Sequence, residues 1–177
     1  MLIVADLPSS NAGIELQVGP FSGRETFRQN VRTLLGMAAV QEWPVLILSD
    51  PDFSDWPLDE TAVVQSLSGW SRRGRSITLL ASSYAMVQSH HARFVEWRRR
   101  WDHIIHCRRL GELGRPDELA AVPSVIWTPD WVLHRTSLEK CLGLCTQSAV
   151  RRAELRESID NCLKQSAPGF AASVLGL

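Results

Sequence analysis

Apolar residues follow two rhythms along this chain, and the changes between them mark its elements. Ile14-Glu-Leu-Gln-Val18 alternates with period two, the pattern of a half-buried strand. Beyond it, Phe27, Val31, Leu34, Leu35 and Ala38 recur at helical spacing. Ser22 and Glu25 form a capping box ahead of them, predicting a helix from there to about Gln41. Val45-Leu-Ile-Leu48 is a continuous apolar run, which predicts a strand buried on both faces. Val63, Val64, Leu67 and Trp70 predict a second helix, with Asp59 as its cap. Arg73-Gly74 turns the chain into another buried strand, Ile77–Ala81. Tyr84–His90 and Arg93–Trp101 read as helical, and His103–Cys107 as a third central strand. Val125–Trp127 and Trp131–His134 flank Thr-Pro-Asp, a turn signal that predicts a hairpin. A last helix is expected from about Ser148 to Lys164, followed by a mostly apolar tail over 166–177.

Strand and helix alternate through the middle of the chain. That order predicts a single α/β domain over 1–177, with a mixed, largely parallel central sheet and helices on both faces. Its 177 residues suffice for one full core and are few for two. Lysine plus arginine and aspartate plus glutamate balance at 19 each, so no global field draws in nucleic acid or anionic lipid. The expected partner is an unknown protein or a small phosphate-bearing ligand, not nucleic acid or membrane; a homo-oligomer is left open. The four cysteines do not make a disulfide framework, and the first residues lack a signal-peptide pattern. A cytoplasmic location is the expectation.

Charge is unevenly distributed. Residues 50–60 hold five acids and no base, whereas 93–109 hold six arginines against two acids. Ligands of open α/β sheets bind beyond the carboxyl ends of strands. Asp50, Asp52 and Asp55 fall on that rim, and so does the region of His106, Arg108 and Arg109. The expectation is one binding edge where the acidic loop faces Arg98–Arg109. Asp50-x-Asp52-x-Ser54 after an apolar strand resembles the nucleophile loop of haloacid-dehalogenase-type phosphatases. That family's later lysine and Gly-Asp-x-x-x-Asp motif are missing, so a metal-dependent phosphoester hydrolase using Asp50 and Asp52 is the alternative reading. The leading one has these carboxylates capping turns.

In the arginine-rich stretch, Phe94, Trp97 and Trp101 share one helical face, with Arg93 and Arg98 on its shoulders. This face reads first as core and second as a recognition surface. His103, His106, Cys107, Cys141 and Cys145 invite assembly into a zinc site. Strand alternation sends His106 to the face opposite His103 and Cys107, so no metal and no cofactor are expected.

Asp50-Pro-Asp-Phe-Ser-Asp-Trp-Pro-Leu58, Arg93-Phe-Val-Glu-Trp-Arg-Arg-Arg-Trp101 and the Leu175-Gly-Leu177 ending resemble an uncharacterised proteobacterial domain family of short cytoplasmic proteins. The order of elements also resembles one half of a phospholipase D-like domain. The His-x-Lys-x-x-x-x-Asp motif of that superfamily has no match: His106-Cys-Arg108 comes nearest, with Leu113 in place of the aspartate. The resemblance implies a degenerate copy without the phosphodiesterase nucleophile. A non-catalytic binding or regulatory domain is therefore expected, and an interaction protein docking through its apolar tail is a further alternative.

Overall fold

One mixed sheet runs through the computed structural model, which describes residues 15–111 and 122–171. In chain order the elements are β1 (Gly19–Ser22), α1 (Arg24–Val40), β2 (Val45–Ser49), α2 (Thr61–Trp70), β3 (Ser76–Ala81), α3 (Ala85–His90), α4 (Ala92–Arg100), β4 (Ile105–Arg109), β5 (Ser124–Trp127), β6 (Val132–Ser137), β7 (Leu142–Thr146), α5 (Ala149–Lys164) and β8 (Ala167–Pro168). Across the sheet the strands lie in the order β1-β7-β6-β5-β2-β3-β4-β8.

The α/β class and the mixed sheet agree with the sequence pattern; the largely parallel pairing does not. Among the described strands only β2–β3 and β3–β4 are parallel, and every other pair of neighbours is antiparallel. The cause is connection length. Helical crossovers join β2 to β3 and β3 to β4, which returns each strand in the same direction. Short turns join β5 to β6 and β6 to β7, and these reverse the chain.

Alternation along β2 divides the core. Leu46 and Leu48 face the larger cluster with α1, α2 and α4, while Ile47 faces the smaller one beneath α5 with Leu80, Val125 and Leu155. The continuous apolar run of β2 thus reflects helices on both faces. Both margins of the sheet carry a proline, Pro20 in β1 and Pro168 in β8. Each lacks the N–H that an added strand would need.

Several local expectations are displaced. Residues 15–18 are not a strand, and residue 14 lies outside the described residues; the first strand begins at Gly19. Ser22 ends β1 instead of capping α1, whose N-cap is Gly23 at φ 95°, where glycine suits the backbone. Asp59 does not cap α2 either: its Oδ1 accepts the Arg93 N–H and so caps α4. His103 lies in a 3₁₀ turn ahead of β4, whose strand pairing starts at Ile105. The last helix starts where expected, with Ser148 as its cap, the side chain accepting from the Arg151 N–H. The tail is no free appendage over 166–171, since Ala167 and Pro168 pair with β4; residues 172–177 lie outside the described residues. No described helix is long and apolar enough to cross a membrane.

Candidate functional site

The carboxyl end of β2 delivers Asp50 into the interior, where the residue is 1% exposed. Both of its oxygens are occupied. Oδ1 accepts the Phe53 N–H at 2.8 Å and the Asp52 N–H at 3.2 Å, the turn chemistry of aspartate at a strand end. Oδ2 accepts from Ser124 Oγ at 2.6 Å and from the Arg135 guanidinium at 2.8 Å. Arg135 comes from β6, and it also reaches Asp55 Oδ2 at 2.8 Å and Ser124 Oγ at 3.0 Å. Its guanidinium lies 4.4 Å from the centre of the Phe27 ring. Burial disfavours the Arg135 charge, but Asp50 and Asp55 outweigh it and hold the pKa above the ordinary arginine range. Asp55 has a further partner, Arg24 at 3.0 Å, and Asp52 Oδ1 accepts the Ser54 N–H.

The carboxylates of Asp50 and Asp55 therefore pair with Arg135 and Arg24. The parallel strands β2, β3 and β4 do end on one edge, but among the described residues no carboxylate of the acidic loop pairs with Arg98, Arg108 or Arg109. Asp59 links the loop to the arginine-rich stretch: its Oδ1 accepts the Arg93 backbone N–H at 2.7 Å and its Oδ2 the Arg93 guanidinium at 3.1 Å. Trp56, Phe53 and Phe27 close over the loop, with ring centres 5.0 and 5.6 Å apart.

In α4 the aromatic seam is core. Phe94 and Trp97 are buried, and the Trp97 indole N–H donates to Ser71 Oγ at 3.1 Å. Trp101 is half-buried. Arg98 does not lie on the indoles. Its side chain is 5% exposed, pairs with Asp102 at 2.7 Å and sits 5.3 Å from the Phe170 ring. Phe170 stacks on Tyr84 at 5.1 Å, so Arg98 and Tyr84 hold the start of the tail between them. Arg108 donates to Ser166 Oγ and to the Ser166 carbonyl, fastening the same segment to β4. His106 and Arg109 are exposed on β4.

No group of three or more His, Cys, Asp or Glu able to hold a metal forms among the described residues. Cys141 sits in the β6–β7 turn at φ 48° and Cys145 in β7. All four cysteines are free and buried. Burial pushes the Cys145 thiol up to about 12, and it raises the Cys107 thiol despite the neighbouring Arg98.

The residue that sequence reading missed is Arg135. Its signal was present: Leu133 and Arg135 share one face of β6, and an arginine on a core-facing position requires a buried carboxylate.

A scan against protein-family models finds no match, and a search of the curated proteins finds none either. Among solved structures, that of TrmBL2, an archaeal chromatin protein described as showing a novel mode of DNA binding, is similar. The TM-score is 0.59 at 11% identity, over 88% of this chain and 56% of that one. The likeness is one of fold alone, and the chain spans little more than half of the similar protein.

Proposed function

We propose that this chain is a binding or regulatory domain that performs no chemistry of its own. The observation that supports this reading is the state of Asp50. A carboxylate nucleophile needs an oxygen open to substrate, and a metal-binding one needs free lone pairs. Asp50 is buried with both oxygens committed to protein donors. The hydrolase alternative is left with Asp52, which is bonded within its own turn. A phospholipase D-like half lacking its nucleophile fits the same reading.

Docking through the apolar tail receives less support. Ser166–Phe170 is fastened to β4, Arg98 and Tyr84, so it contributes to the fold of this chain. The similar archaeal protein binds DNA. A fold shared at 11% identity does not carry that property across, so nucleic acid belongs among the ligands to be tested.

The test combines an activity screen with thermal unfolding. Purified protein should hydrolyse no phosphate mono- or diester in the presence of magnesium, and Asp50→Asn should melt at a lower temperature than the parent. Turnover that Asp50→Asn abolishes, together with an unchanged or raised melting temperature, would overturn the proposal.

A further inference from the structure

Helices α2 and α4 lie side by side and are tied near their ends. Ahead of α2, Asp59 grips Arg93 at the start of α4; just past α2, Ser71 receives the Trp97 indole N–H. Between these ties the small side chains of Ser68 and Ala92 leave a groove of about 400 Å³, with Val64 and Trp97 among the residues that line it. The ties fix both walls, so the groove exists before anything enters it, which lowers the ordering cost of binding.

Its surroundings indicate what fits. From Thr61 to Trp70 the α2 wall carries no charged residue. Of the charged α4 residues that line it, Arg93 is engaged by Asp59 and Arg100 stands by Glu96, while Arg99 lies beside the groove on the other side of Glu96. Glu96 stands 3.9 Å from Arg99 and 4.0 Å from Arg100, too far for hydrogen bonds, so both guanidiniums retain open donors. They are 60% and 71% exposed. Trp97 is 3% exposed and offers no open ring face for a base to stack on, which disfavours single-stranded nucleic acid. Helices of 10 and 9 residues give a channel roughly 14 Å long at ~1.5 Å per residue. That length matches two apolar side chains spaced one or two turns apart on a docked helix.

We infer that this groove receives an amphipathic helix of a partner protein. Its apolar anchors enter between Val64 and Ala92, and its carboxylates meet Arg100 on the rim and Arg99 just outside it. The inference rests on the reading of the chain as a binding domain and names the partner chemistry of that reading.

The experiment selects the immobilised protein against displayed helical peptides of about 16 residues, ~24 Å long as helices. Enriched peptides should share paired apolar positions flanked by Asp or Glu. Synthetic copies should bind at least about tenfold more weakly to Ala92→Phe, which fills the groove, and to Arg100→Glu, which reverses its rim charge. Both positions are exposed, so circular dichroism and melting should show folded variants. No enrichment, a different consensus, or binding unchanged in both variants overturns the inference. Reversible dimerisation that Ala92→Phe abolishes would assign the groove to a second copy and overturn the partner assignment. An oligothymidylate that binds and is lost in Arg100→Glu would overturn it in favour of nucleic acid. Phosphoester turnover abolished by Asp50→Asn would instead overturn the underlying reading, whatever the peptides do.

Discussion

Replacing Arg135 by methionine removes the one cation between two carboxylates and leaves a chain of similar length in its place. Arg135 and Asp50 have side chains 2% and 1% exposed, so water cannot take over the lost contacts. The deletion loses charge-assisted bonds to Asp50 and Asp55, a bond to Ser124 and the contact with the Phe27 ring. Asp50 keeps its two amide donors and Ser124, which limits the loss without cancelling it. Breaking one side of a buried ion pair costs roughly 3–5 kcal/mol. In a protein of this size that is a fall in melting temperature on the order of 6–20 °C. Asp55→Asn should cost less, about 1 kcal/mol, because Asp55 is 20% exposed and Arg135 keeps Asp50. Urea unfolding followed by tryptophan fluorescence gives each value. The double variant Arg135→Met with Asp50→Leu should cost less than the sum of its singles, because neither charge is left stranded. Strict additivity, or a cost below ~1 kcal/mol for Arg135→Met, would refute the buried clasp.

Other consequences are open to measurement. Burial depresses the pKa of both His91 and His134, and Arg151 adds to the effect at His134. Below the ordinary histidine pKa of about 6.5 the unfolded chain binds more protons than the folded one. Stability is then intact above that pH and falls as the solution is acidified, so the urea midpoint should drop between about pH 7 and 5; a flat profile would count against both burials. Gly143 needs no side chain, since a Cβ there would run into the His134 carbonyl and the Phe21 ring. Gly143→Ala should therefore cost roughly 1–3 kcal/mol by overpacking, read from the same urea curves, and a neutral result would place β7 differently. A thiol reagent should label none of the four buried cysteines until the protein is unfolded, and rapid labelling of any one in the native state would contradict its burial.

Elements with long apolar patterns were legible in the sequence. The buried positions of α1 and the run Leu46-Ile-Leu48 stand where periodicity put them, because covered faces leave a direct imprint on residue choice. Strand direction was not legible. A run buried on both faces has the same composition in a parallel or an antiparallel sheet, and here β2 is one on each side. The strand β7 escaped notice because Leu142-Gly-Leu-Cys-Thr146 is largely half-exposed and contains a glycine, which weakens both strand and burial signals. Caps were misassigned for a related reason. Asp59 and Ser22 have the right chemistry ahead of a helix, but Asp59 is claimed by Arg93, which is 34 residues away.

The acidic motif, the most conspicuous chemistry in the sequence, makes structural contacts in this chain. Asp50 and Asp55 lie just past a strand end of an α/β sheet, where ligands commonly bind. Their contacts run to α1 through Arg24 and to β5 and β6 through Ser124 and Arg135. β5 and β6 lie beside β2 on one side of the parallel segment, and β5, antiparallel to β2, meets the same rim from the other direction. A polar clasp there fixes β5 and β6 against β2 at a point where no helix crossover does so. Carboxylates with that duty cannot also take up and release a ligand without loosening the sheet. The adjustable surface is then sought where side chains are exposed and incompletely paired, and α4 with the uncharged wall of α2 meets both conditions.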